Sequence, residues 1–236
     1  MSERQRIARV AGLLYLLMSV ASTFSLASIP SWSVGATDAS AVVRKILDAP
    51  LRYRLGAVSE LASQVLFVFL VLELFTLLEE VHRTRALAMV ALVLVQVPMG
   101  FANLLLGLAP LVLQSGASYL SVFSKEQLDA LTLVALNARG YGVKSVMVFW
   151  GLWLLPFGML VYRSGFLPRV LGVLLLVGCF GHVVVGVTSL LMPSLERAVA
   201  PLTALALGEI LICLWLLTKG AKPESQDQHS PHKMGD

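Results

Sequence analysis

The chain has 236 residues and a formal charge of +4; 57% of its residues are hydrophobic and only 14% charged. A soluble domain carries about 45–50% apolar and about 25% charged residues, and here the apolar excess is gathered into blocks long enough to cross a bilayer, about 20 residues each. That excludes a soluble enzyme, a disordered chain and a disulfide scaffold, and predicts an all-α, polytopic membrane helix bundle.

The first predicted span covers residues 8–29, behind Arg4, Arg6 and Arg9. Its apolar stretch continues from Val10 past Val20 and Phe24 to Leu26, longer than the roughly 7–15 residues of a signal core, so the span is expected to be retained. In the loop that follows, Thr37 or Asp38 can cap a short helix through Asp48. Val42, Val43, Ile46 and Leu47 alternate there with Arg44 and Lys45, and Pro50 is expected to stop it, which suits a helix lying at the interface.

The second span covers 55–78 and the third 86–113, joined by a compact basic turn at His82–Arg85. Pro98 and Pro110 make the third a candidate for a kink. Ser124 with Gln127 forms a capping-box pattern that opens a second outer helix to about Asn137. The fourth span covers 141–162, the fifth 170–191 and the sixth 199–217, with Arg163–Arg169 as another basic turn between the fourth and fifth. Six crossings put both termini on one side, and the Lys and Arg near the span ends make that side cytoplasmic. Residues 223–236 are polar and Pro-containing, a disordered tail in which His229 and His232 are expected to be solvated. Tyr and Trp near the span ends, Trp32 among them, suit the interface.

A charged residue at mid-span costs about 2.5–3.5 kcal/mol on insertion scales, so an ionisable group inside a span is a functional candidate. The spans hold Glu60 and Glu73, Lys144, His182 and Glu209, with the amides Gln64, Gln96 and Asn103. At a rise of about 1.5 Å per residue, Glu60, Gln64, Asn103, Lys144, His182 and Glu209 fall in one layer in the outer half. Glu73 nears the inner interface instead. Arg139 falls outside the spans and counts among the outer charges. Gln96, Gly100, Asn103 and Gly107 share one helical stripe, and Gly178, His182 and Gly186 another, small residues that let helices approach. The expected roles are Glu60 and Glu209 as proton- or cation-binding carboxylates, Lys144 as counter-charge, and Gln64, Asn103 and His182 as orienting hydrogen-bond partners. A packed bundle also holds such groups as interhelical hydrogen bonds worth about 0.6 kcal/mol each.

No H-E-x-x-H, G-x-S-x-G, Walker loop or cysteine pair at ligand spacing occurs, so no catalytic residue, metal or cofactor is indicated. Cys179 and Cys213 lie inside apolar blocks. The partner expected from composition is the lipid bilayer, not a nucleic acid.

The stretches RVAGLLYLL, YLSVFSKEQLDAL, WGLWLLPFGMLVYRSGFLPRVLGVLL and LALGEILICLWLLTKG resemble one bacterial membrane family, the domain of unknown function 4386 family, from about Arg6 to Gly220. The resemblance implies an integral protein of the bacterial cytoplasmic membrane with about six or seven helices and no assigned activity. It also implies an acidic residue at Glu60, amides at Gln64 and Asn103, and a carboxylate at Glu209. Where relatives often carry His, this chain has Arg139, and where they carry an acid it has Val185. Three functions stay open at this level: an outer-half pocket that binds or moves a small molecule, ion or proton; a membrane-embedded enzyme acting on a lipid or quinone-like substrate; or a structural or interaction protein whose polar residues join helices.

Overall fold

The computed structural model describes residues 2–29 and 38–222, which are helical and contain no strand. The polar tail, His229, His232, Trp32 and Thr37 lie outside the described residues. Helix α1 (Glu3–Ser28) starts at Ser2, whose hydroxyl accepts from the Gln5 N–H. Helix α2 (Ala39–Leu47) starts at Asp38, whose carboxylate accepts from the Ala41 N–H at 2.9 Å. Each side chain satisfies a first-turn donor that has no partner inside its helix.

Helix α2 ends before Pro50 as expected, with Ala49 turned out of the helical region (φ −139°, ψ 58°). Pro50 is also the first residue of α3 (Pro50–Leu113), a position where the missing N–H costs nothing. Helix α3 runs 64 residues, which as a straight rod would measure about 96 Å, some three times a hydrocarbon core of about 30 Å. It does not run straight. At His82 the backbone is extended (φ −168°, ψ 95°), and the chain folds back on itself. Gly100 then lies against the Gln64 side chain, and the Tyr53 hydroxyl donates to the Gly107 carbonyl. The midpoints of the two pairings fall at positions 82 and 80, at or beside His82, so α3 is a helical hairpin. The expected turn contracts to a single residue, and Pro98 and Pro110 keep helical backbone angles. The reversal falls at the polar Glu79–Arg85 stretch, where water can hydrate a freed backbone group.

Helix α4 (Lys125–Leu152) opens with the expected capping box at Ser124 and Gln127. The outer helix and the fourth span are one continuous helix rather than two elements. The interruption comes at Trp153, before α5 (Leu154–Arg163), because Pro156 offers no N–H to the Leu152 carbonyl. Helix α6 spans Arg169–Leu191. The sixth segment departs most from expectation: a turn at Pro193–Leu195, a single helical turn α7 (Glu196–Val199), a 3-10 stretch at Ala200–Ala206, and only then α8 (Leu207–Thr218). Pro201 has no N–H to give the Arg197 carbonyl, so α7 cannot continue through it as an α-helix, and the Thr203 hydroxyl donates to the Ala200 carbonyl at 2.7 Å. A 3-10 run of seven residues is long, since such runs seldom exceed about 3–4.

Among the described residues, five segments are long and apolar enough to cross a membrane: Glu3–Ser28, Pro50–Leu113, Lys125–Arg163, Arg169–Leu191 and Pro193–Thr218. Their ends sort into two groups. Arg4 pairs with Glu80 at 3.0 Å, the Lys222 N–H donates to the Phe166 carbonyl, and Gly220 sits beside Gln5. Both ends of the described chain therefore meet the His82 bend and the 164–168 turn at one end of the bundle. At the opposite end, Asp129 accepts from Ser40, Gln114 and Lys125.

The half nearer the termini is packed with Leu70, Leu74, Leu78, Met89, Phe157 and Leu160 around Trp153. The Trp153 ring stacks on Phe157 and meets Phe67 edge-on, with centroids 5.2 and 5.1 Å away. Leu13, Leu17, Val58, Phe69 and Leu105 face outward, as lipid-facing side chains do. The other half carries the polar groups.

Candidate functional site

Glu60 on the first limb of α3 and Arg139 on α4 are both buried and form a two-pronged ion pair, Nη1 to Oε1 at 3.1 Å and Nη2 to Oε2 at 2.7 Å. The Ser25 hydroxyl donates to Glu60 at 3.1 Å, and Arg139 Nη1 also donates to the Asn103 carbonyl at 3.1 Å. Removing two ions from water costs several kcal/mol each, and only geometry of this quality with added hydrogen bonds offsets it. Glycines make the room: a Cβ at Gly107 would lie 3.2 Å from the guanidinium, and one at Gly142 would collide with the Asn103 amide. Arg139 Nε, Asn103 Oδ1 and Gln64 Oε1 have no hydrogen-bond partner among the described residues. All three residues border a cavity of about 40 Å³, enough for one or two waters.

A second cluster joins α1, α6 and α8. Glu209 accepts from the Tyr15 hydroxyl at 2.6 Å, and His182 Nε2 lies 3.0 Å from its other oxygen. The His182 ring meets Trp150 edge-on, 6.3 Å between centroids. His182 Nδ1 has no partner among the described residues. Nε2 is thus placed to donate its N–H to the carboxylate.

Beside this cluster is a larger cavity of about 330 Å³, walled mainly by apolar and aromatic side chains including Phe67, Trp150 and Trp153. Glu209, His182, Gln64 and Gln96 supply polar groups to its wall. Ser22, Ser63 and Gln64 border both cavities, so the two adjoin. The larger one opens between α1 and the last segment. Toward the termini that seam is tight, with Gly12 against the Leu216–Leu217 backbone and the Cys213 thiol on the Gly12 carbonyl. Toward the other end, the Ala200–Ala206 stretch packs on α6, where Gly181 meets Leu202 and Leu205, and separates from α1. Thr23, Thr203, Leu207 and Ile210 are exposed there.

The six expected residues thus fall into three places. Glu60, Gln64 and Asn103 gather around the smaller cavity, with Gln64 reaching the larger one as well; His182 and Glu209 meet in the wall of the larger. Lys144 stands apart. It pairs with Glu196 of α7 at 2.8 Å, not with Glu60 or Glu209, because α6 and the turn after it carry Glu196 back over α4. The counter-charge of Glu60 is Arg139, which sequence reasoning left outside the membrane. The signal was available in part: Arg139 is followed by Gly140 and Gly142 and sits two residues before the predicted span, while Lys144 alone was set against two carboxylates. Tyr15 was also missed, although Tyr15, Ser22 and Ser25 recur at helical spacing on α1.

Outside this region, burial raises the Asp129 carboxyl, but hydrogen bonds from Lys125, Ser40 and Gln114 and the Lys125 charge outweigh it and hold the group below its ordinary range. Cys179 and Cys213 are buried free thiols.

The family model described as domain of unknown function (DUF4386) matches residues 10–220, and the chain belongs to that family. No curated protein and no solved structure matches it.

Proposed function

We propose that this protein crosses the membrane six times, α3 supplying two crossings, and binds or moves a small molecule in the larger cavity. The membrane is the bacterial cytoplasmic membrane, with both termini in the cytoplasm and the cavity in the outer half. The two limbs of the α3 hairpin and the gathering of both described chain ends at one end of the bundle support six crossings. The basic residues of that end, Arg4, Arg83, Arg85, Arg163 and Arg169, support its cytoplasmic placement.

The observation that carries the binding reading is the cavity itself: about 330 Å³, aromatic-walled, with a carboxylate in its wall and an opening between α1 and Ala200–Ala206. Small-molecule sites are concave, about 300–1,000 Å³, mostly apolar and furnished with a few convergent polar groups. Helix glue alone requires no such space, since polar contacts between helices form at closed seams.

The test uses the uncharged probe N-phenyl-1-naphthylamine with the full chain in detergent micelles. Saturable energy transfer from tryptophan to the probe is expected. Ser22→Phe, which fills the region where the cavities adjoin, should remove the saturable part. Transfer that never saturates, or that survives Ser22→Phe unchanged, would overturn the binding reading.

A further inference from the structure

The polar groups of this half balance unevenly. Arg139 is neutralised by Glu60 and Lys144 by Glu196. Among the described residues Glu209 is met by the Tyr15 hydroxyl and by His182, and no Lys or Arg pairs with it. Among the described residues no Lys or Arg lines the larger cavity, so no fixed cation balances the Glu209 carboxylate there. Two donors occupy only part of what a carboxylate can accept, and the Glu209 side chain keeps 22% exposure, so a ligand can reach it. The surrounding rings are Tyr15, Phe67, Trp150 and Trp153. Aromatic faces attract cations through the ring quadrupole, most strongly where water is excluded, and a carboxylate attracts them far more in a low dielectric than in water.

We infer that the cavity binds a small organic cation, a protonated or quaternary amine with an apolar or aromatic body, whose charge lies against Glu209 and whose body packs on the Trp150 ring. This rests on the binding reading above and adds the class of ligand. An anion would meet an uncompensated carboxylate. A bare metal ion would find one carboxylate and an imidazole where a divalent ion needs more ligands, and would leave the aromatic walls unused.

The probe pair is benzyltrimethylammonium and its uncharged carbon isostere neopentylbenzene, both small enough for the cavity and alike in shape. Binding of each to the full chain in detergent micelles is measured by calorimetry and corrected for uptake into empty micelles. The cation is expected to bind at least about ten-fold tighter than the isostere, and Glu209→Gln should remove that preference while leaving the isostere's affinity unchanged. Wild-type protein alone decides the matter if the variant does not fold. Equal binding of the two probes, or tighter binding of the isostere, would overturn the cation proposal and leave the cavity reading standing. Binding of neither would overturn both.

Discussion

Glu60 and Glu209 look alike in the sequence: each is a carboxylate in an apolar helix, at similar insertion cost. The fold treats them differently. Glu60 is enclosed by an Arg139 fork and the Ser25 hydroxyl, with every charge cancelled, whereas Glu209 takes donors from an uncharged tyrosine and an imidazole and borders open space. An intramembrane carboxylate is therefore read by its partners. A matched guanidinium makes it a rivet between helices; donors that include no fixed cation leave its charge available to something else.

That contrast can be broken most directly at Arg139. Arg139→Met leaves Glu60 buried without its counter-charge and should cost about 3–5 kcal/mol in chemical unfolding of the full chain in micelles. Adding Glu60→Gln should recover most of the loss. A single variant as stable as the wild type would show that the pair is not what joins α3 and α4. At Gly12, a methyl group would collide with the Leu216–Leu217 backbone, so Gly12→Ala should cost about 1–3 kcal/mol and loosen the tight end of the seam. Glu209→Gln should behave unlike Arg139→Met, with an unfolding free energy within about 1 kcal/mol of wild type and the cation preference lost. If it destabilised as much as Arg139→Met, the two carboxylates would both be rivets. Tyr15→Phe removes one donor to Glu209 and should cost about 0.6 kcal/mol, about 1.7 at most.

The smallest effect is expected at the far end of the bundle. The Asp129 carboxyl is held lower in the folded chain than in the unfolded one. Its stabilisation is therefore complete above the unfolded carboxyl range, near pH 4, and is lost as pH falls through the lower folded value. Asp129→Asn should flatten the acid limb of a stability-against-pH curve below about pH 4 and leave neutral-pH cation binding unchanged.

Hydropathy placed the membrane segments because a bilayer demands about 20 apolar residues in any context. Asp38 and the Ser124–Gln127 pair placed two helix starts because capping is completed within a few residues. The breaks were harder to read. Pro98 and Pro110 suggested a kink that does not occur, while the reversal at His82 falls in the turn expected between the second and third spans; the last segment's 3-10 start had only Pro201 to announce it. The α3 hairpin sets 100 against 64 and 107 against 53, which brings Asn103 near Glu60.

Composition, length and local capping act over short stretches of chain, and they suffice to specify a bundle of apolar helices with a few costly polar groups buried among them. Which of those groups meet depends on how the helices pack. Depth along a helix is fixed by the rise per residue, but the neighbour across the seam is fixed by the order of helices around the bundle. That order gave Arg139 to Glu60 across 79 positions, Lys144 to Glu196 across 52 and Tyr15 to Glu209 across 194, and left a cavity where the last segment leans away from the first.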